Sequence, residues 1–432
     1  MQVFSAKRLT ILVLSVLLTG TLKAQSFYTH PLHPQVKTLQ VMGNQDFQKL
    51  PVLNFDGVSS VTASFDFLAD EQPWIDYTIV HCDAEWKPDD LDAMDFLSES
   101  FLPRHVEGIT PSFNTTSESY YHCQVTIPNE EVRPTISGNY AILFHQQDEP
   151  DSILAVATFM VSAQEAFVSG TISGNTDIDF NATHQQLTME IGWSNKKHPH
   201  LEPATDLHVL VQQNRRLDQS RWIEAPSRIE IGKAYYEHLQ SLIFEGGNHW
   251  RRFEVTDVHY PGLGVDRIRY HAPYYYAYLF EGRARALDNY RYDQDQHGRF
   301  LVLAKGVEDV NIEAEYVKTV FTLDAPQQLD KQGIYLLGDM TCQMLDDQAR
   351  MEYDAEKGLY RKELLLKQGA YNYMYVVPNR EVKAGDNPFG TKVSTSVTEG
   401  SHYETPNEYQ VFVYYRPFAS RYDHLIGVAV LK

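Results

Sequence analysis

A chain of 432 residues with 57 acidic and 37 basic side chains, formal charge −20, repels nucleic acid and anionic lipid headgroups, so neither is an expected partner. Its length exceeds what one hydrophobic core usually holds and predicts roughly two to four domains. Three cysteines, Cys82, Cys123 and Cys342, leave at least one thiol unpaired within the chain.

The N-terminus reads as an export leader. Lys7 and Arg8 precede an apolar run from Leu9 to Leu18, and Leu22-Lys23-Ala24 offers a small residue for cleavage. The run is about half the roughly 20 residues a membrane-spanning helix needs, so residues 1–24 are a signal peptide rather than an anchor. Its removal takes Lys7, Arg8 and Lys23 and no acid, leaving −23 on the mature chain. No later stretch is apolar enough to cross a bilayer as a helix, and no direct membrane insertion is expected. A transmembrane β-barrel is disfavoured by polar interruptions such as Asn195–His200, by uneven strand lengths and by the non-aromatic end Val430-Leu431-Lys432. Export permits a disulfide, and Cys82 with Cys123 is the pair weighed against two small buried thiols.

Strand signals dominate the mature chain. Residues 25–165 read as an N-terminal β-sandwich that ends on the strand Leu154 to Val161. It includes one short helix after Pro88 that carries Leu91, Met94 and Phe101 toward a core. Gly- and Ser-rich turns at 169–175 mark the entry to a middle β domain, 166–305. Here Leu187, Met189, Ile191 and Trp193 alternate with polar residues, as do Leu207, Val209 and Val211. Trp193, Trp222, Trp250 and the tyrosines at 274–278 are this domain's candidates for exposed aromatic platforms. Residues 306–432 read as a third domain, its strands ending with Tyr409 to Tyr415 and Leu425 to Leu431. Its run Gly338-Asp339-Met340, Gly358-Leu359-Tyr360 and Gly369-Ala370-Tyr371 resembles the early-set immunoglobulin-like modules that include glycogen-binding domains. The fold class is therefore all-β: tandem immunoglobulin-like or β-sandwich domains, the C-terminal one of early-set type.

Motifs that could carry chemistry are weak. His198-Pro199-His200 lacks the further ligands a zinc site needs. Asp293-Gln294-Asp295-Gln296-His297-Gly298 begins like a calcium loop but has Ala304 where a bidentate Glu belongs. Asn175–Asp179 reads as Asx turns, and His30-Pro31 with His33-Pro34 reads as an extended arm. No nucleophile elbow, metalloprotease helix or phosphate loop occurs. No catalytic residue, metal, cofactor or small-molecule substrate is assigned.

Several blocks in order carry a more specific signal. They are Tyr77–Asp83, containing His81 and Cys82, with Trp86-Lys87-Pro88; Ser112–Thr116, containing Asn114 and Thr115; and Ser137-Gly138-Asn139-Tyr140. Near the other end lies Glu399–Tyr409, containing Tyr403, Thr405, Asn407 and Tyr409, followed by Tyr422-Asp423-His424. Together these resemble the plug family of the type IX secretion system. The resemblance implies a periplasmic protein associated with the outer membrane through its partner. That partner is a giant outer-membrane β-barrel translocon of the SprA type, whose periplasmic mouth the plug binds and seals without chemistry of its own. The quoted residues are then structural or partner-contacting, and most hold the fold. A periplasmic carbohydrate-binding protein is the alternative, drawn from the third domain and the tryptophans; a hydrolase with an unrecognised site is a third.

Overall fold

Period-two alternation resolves into three two-layered β units. The computed structural model describes residues 26–99, 101–383, 386, 387 and 389–432; the leader expected at 1–24 lies outside them. In the first unit, a six-stranded sheet built around Ile75–Cys82, Gly138–Gln146 and Glu149–Ser162 faces a four-stranded sheet of Val36–Gly43, Val61–Leu68, Tyr120–Ile127 and Gly108–Pro111. Phe65, Phe67, Ile79, Val125, Ile142, Phe144 and Phe159 interdigitate between them. The second unit pairs a sheet of Ala166–Ser173, His184–Trp193, Lys233–Tyr236, Arg228–Glu230 and Ile243–Glu245 with another of Ser220–Ile223, Leu207–Gln213, Tyr409–Tyr415 and His424–Leu431. In the third, a sheet centred on Gly369–Pro378 packs against one centred on Tyr316–Asp324 and Leu359–Lys367.

These sheets distribute the chain differently from the boundaries drawn on sequence. Strands Tyr409–Tyr415 and His424–Leu431, expected in a unit spanning 306–432, close the core of the second sandwich. Strands Arg251–Val255 and Tyr274–Leu279, expected in a middle unit of 166–305, belong to the third. The third sandwich is thus inserted into the second. The physical reason is that Val209, Val211, Val411 and Val413 present the same alternating apolar face as any sandwich strand. Which strand they register with is settled by pairing across some two hundred residues, a separation on which local pattern is silent.

The short helix is a single turn, Ala93–Phe96. It buries Phe96 and the following Leu97, while Met94 and Phe101, assigned to the core on sequence, are exposed. Among the described residues no helix is long and apolar enough to cross a membrane.

Burial departs from simple alternation in several strands, and two of these departures mark contacts between units. Val61–Leu68 sends Val61, Ala63, Phe65 and Phe67 into the first core, yet its polar alternates Thr62, Ser64 and Asp66 are buried too. Tyr409–Tyr415 sends Tyr409, Val411 and Val413 into the second core, yet Gln410, Phe412 and Tyr414 are buried as well. In each case the second face of the sheet is covered by another sandwich.

Candidate functional site: the seams between the sandwiches

The residues singled out by sequence pattern gather where the units meet. On the seam between the first sandwich and strands 409–431, the strand Ile75–Cys82 buries His81. Its Nδ1 pairs with the Asp89 carboxylate, and its ring meets the edges of Tyr140 and Tyr422 at centroid distances of 4.8 and 5.4 Å. Ser137 places its carbonyl 3.4 Å from His81 Nε2. Gly138, at φ +146, lies so close that a Cβ there would collide with the imidazole, which explains why glycine opens this strand. Asn139 bridges the seam: its Nδ2 donates to the Asp83 carbonyl at 2.9 Å, and its Oδ1 accepts from Tyr414 Oη at 2.9 Å. Asp423 accepts from the Ala84 amide at 3.0 Å and lies 3.4 Å from the Arg416 guanidinium. Tyr140 Oη donates to the Ile136 carbonyl at 2.8 Å. Ala84, Met160, Phe412, Tyr414 and Leu425, with Trp86 partly buried beside them, add an apolar cluster along the same seam.

The seam between the first and third sandwiches is ionic. Lys367 Nζ lies 2.6 Å from Asp66 Oδ2, and each side chain is 1% exposed. The same carboxylate accepts from Tyr316 Oη at 2.7 Å and pairs with His122 Nδ1 at 2.8 Å. Lys367 also donates to the Asn311 carbonyl at 2.6 Å and sits 4.2 Å over the Tyr120 ring. Burial lowers the Lys367 pKa while Asp66 opposes that shift, and burial raises that of Tyr316 well above the phenol range. A bulge in Val36–Gly43, with Thr38 at φ +54, turns Thr38 onto Tyr316 at 2.7 Å. Next to it, Glu315 accepts four hydrogen bonds, from the amides and hydroxyls of Thr116 and Ser117, at 2.6–3.1 Å. Asn114 and Thr115 shape that loop from its exposed side: Asn114 takes φ +59, and Thr115 Oγ1 donates to the Glu118 carbonyl at 3.0 Å.

The segment 399–409 ties the second sandwich to the third. Asn407 Nδ2 donates to Gln185 Oε1 at 2.9 Å and to the Gly246 carbonyl at 2.7 Å, while its Oδ1 accepts from Asn214 Nδ2 at 2.7 Å. Tyr409 Oη donates to the same Gln185 oxygen at 2.7 Å, and Gln185 Nε2 reaches the Tyr403 and Thr405 carbonyls. Thr405 Oγ1 donates to the Gly247 carbonyl at 2.9 Å. Fully buried Glu399 binds both Arg251 and Arg285, and Glu408 binds Arg299 at 2.7 Å and Lys432 at 2.8 Å.

The residues singled out by sequence pattern lie on the first and third seams and, for Asn114 and Thr115, beside the second; the acid–base pairs of the second are not among them. Asp66, Glu315 and Lys367 each look like a solvated strand or loop charge. The available signal was Asp66 alternating with Phe65 and Phe67 in a strand without any other charge.

The cysteine pairing weighed on sequence is not made: all three thiols are free. Cys123 faces the first core between the sheets, whereas Cys82 packs with Phe27, Ala141 and Val156 on the outer face of the other sheet. The two side chains therefore point to different layers. Two of the three candidate tryptophan platforms are also corrected: Trp193 and Trp250 are buried in cores, and Trp222 alone is exposed. His198 pairs with Glu165 at 2.8 Å rather than with a second imidazole. Asp295 caps its own loop and accepts from the Trp250 amide. Thr176 and Asp179 close a local turn. Among the described residues no group of three or more His, Cys, Asp or Glu side chains could hold a metal ion.

Where all three sandwiches converge lies a cavity of about 520 Å³, reached by residues 26–29 of the N-terminal arm and lined by Trp86, Met160, Trp222, Phe412, Arg215 and Arg299 among others.

Residues 36–163 match the family model for the type 9 secretion system plug protein first domain. A crystal structure of a hypothetical protein from Parabacteroides merdae ATCC 43184, at 2.30 Å resolution, superimposes with a TM-score of 0.88 at 35% identity, covering 94% of this chain and 99% of that one. No curated protein matches the chain. The likeness therefore spans all three sandwiches and both strands that return to the second. The chain belongs to the family of that Parabacteroides merdae protein, and its first sandwich matches the type 9 secretion system plug protein first domain.

Proposed function

We propose that this protein is a non-enzymatic periplasmic plug that binds the periplasmic mouth of the type IX translocon barrel and seals it. The observation that carries the reading is the fastening of the plug-type first sandwich to both neighbours. Its Asp66 is held by Lys367 of the third unit and its Asn139 by Tyr414 of the second, with both pairs removed from water. Units joined this way move together, so a load on one face is carried by all three. A blocking protein needs that stiffness and a large contact area, on the order of 1,200–2,000 Å² or more for a stable complex.

Affinity capture with tagged protein from an envelope extract tests the proposal. Recovery of a very large outer-membrane β-barrel, at stoichiometric amounts and after stringent washing, is the expected result. Capture without a barrel, together with retention on a glycan array, would replace the plug by the carbohydrate reading. Turnover of polysaccharides or esters that disappears on replacing one buried acid or histidine would replace both.

A further inference from the structure

The cavity at the meeting point of the sandwiches has a lining that falls into two contiguous groups. Met160, Leu210, Phe412 and Trp86 belong to one apolar cluster, and the half-exposed indole of Trp222 lies 6.0 Å from the ring of its member Tyr414, tilted 53° to it. Arg215, Arg299, Asp339 and Gln343 form the other group; Gln343 bonds both Asp339 and the Arg215 carbonyl.

The cationic group is underused. A guanidinium carries five N–H donors. Among the described residues, the Arg299 side chain bonds Glu408 and that of Arg215 bonds the Gln48 carbonyl. The Nε of both is buried without a partner among the described residues. Arg299 itself is only 4% exposed. Glu408, which pairs with Arg299, is shared with Lys432, and this end of the cavity is lined by two guanidiniums, Arg215 and Arg299, against the single carboxylate of Asp339. Buried donors without acceptors are destabilising, and a ligand that brings anionic oxygen would relieve them with charge-assisted bonds.

We propose that this cavity binds a small amphipathic anion, with an apolar chain along the Met160–Phe412–Trp222 wall and a carboxylate or phosphate head at Arg215 and Arg299. The volume, about 520 Å³, lies within the usual range for small-molecule sites. The proposal goes beyond the plug reading and does not rest on it, since binding is read on the purified protein with no barrel present.

Calorimetric titration of the full chain with dodecanoate, dodecyl phosphate and dodecan-1-ol tests it. One equivalent of at least one anion should bind saturably, and the uncharged alcohol should bind at least about tenfold more weakly. Whichever anion binds more tightly identifies the head group. Arg215→Gln should bring that anion to the level of the alcohol and leave the alcohol unchanged. Absence of saturable binding by either anion, equal affinity for the alcohol, or a folded Arg215→Gln protein with unaltered anion affinity would overturn the proposal. Should Arg215→Gln fail to fold by circular dichroism, the contrast between anion and alcohol on the unaltered protein decides alone.

Discussion

The first sandwich is joined to its two neighbours by opposite means. Toward the third unit it uses buried charge: the ion pair of Asp66 with Lys367, around which Tyr316, His122 and Tyr120 are arranged, and the Glu315 carboxylate held by Thr116 and Ser117. Toward strands 409–431 it uses neutral amide and hydroxyl bonds at Asn139 and Tyr414, aromatic edges around His81, and an apolar cluster. An ion pair stripped of water is costly to assemble and costlier to break on one side, because the remaining charge has no solvent to return to. A neutral seam spreads its energy over many small contacts. The ionic seam should therefore fail at one residue, and the neutral seam only at a position where the backbone itself is crowded.

The sharpest way to break that contrast is Lys367→Met, which strands Asp66 in a dry seam. It should lower stability by about 3–5 kcal/mol in urea denaturation, and adding Asp66→Asn should recover part of the loss. A cost below about 1 kcal/mol for the single variant would mean that water enters the seam and that the two seams are alike. On the neutral side the largest effect belongs to Gly138→Ala. The added methyl meets the His81 ring and the residue is held at positive φ. Strain and overpacking together should cost about 2–4 kcal/mol.

Acid should separate the ionic contacts from the neutral ones. Burial alone would raise the Glu408 pKa, but the Lys432 hydrogen bond and the Arg299 charge more than offset it and hold it at about 2, against an ordinary value of 4.5. A depressed carboxylate stabilises the fold above its unfolded pKa and loses that contribution as pH falls through its folded pKa. The stability curve should therefore fall between pH 4.5 and about 2, and Glu408→Gln should flatten that part of it by on the order of 2–3 kcal/mol. An unchanged acid limb in the variant would show that Glu408 is not under this tension. Smaller still, Tyr414→Phe removes one neutral bond to Asn139 and should cost about 1 kcal/mol. At the rim of the same seam, Arg421 reaches Asp95 with both side chains well exposed. Its replacement by alanine should change stability by less than about 0.5 kcal/mol. Larger effects at Arg421 than at Tyr414 would reverse the assignment of rim and centre.

Much of this architecture is legible in the sequence. Period two at Leu187–Trp193 and Tyr409–Tyr415 marks strands that exist. The blocks around His81, Ser137–Tyr140 and Tyr403–Tyr409 lie where the units touch. Pairing at long range escapes. Val411 and Val413 carry no mark that they register with Val211 and Val209 rather than with a strand of the third unit. Nor does Asp66 announce that its partner lies about three hundred residues away. Tryptophan misleads for a related reason: its size and polar tip suit an exposed platform and a core equally. Only the neighbours of Trp193 and Trp250 show which role each takes.

Insertion of the third sandwich into the second has a consequence for the order of assembly. Chains are made from the N-terminal end, and domains tend to fold as they emerge. Residues up to 163 can complete their own core early. Strands 166–245 cannot, because half the layer that covers them is supplied by 409–431. They wait, with one apolar face open, until the whole intervening unit has appeared. The hairpin that then slides in closes three things in one motion: the core of the second sandwich, its hold on the first through Tyr414, and its hold on the third through Glu408.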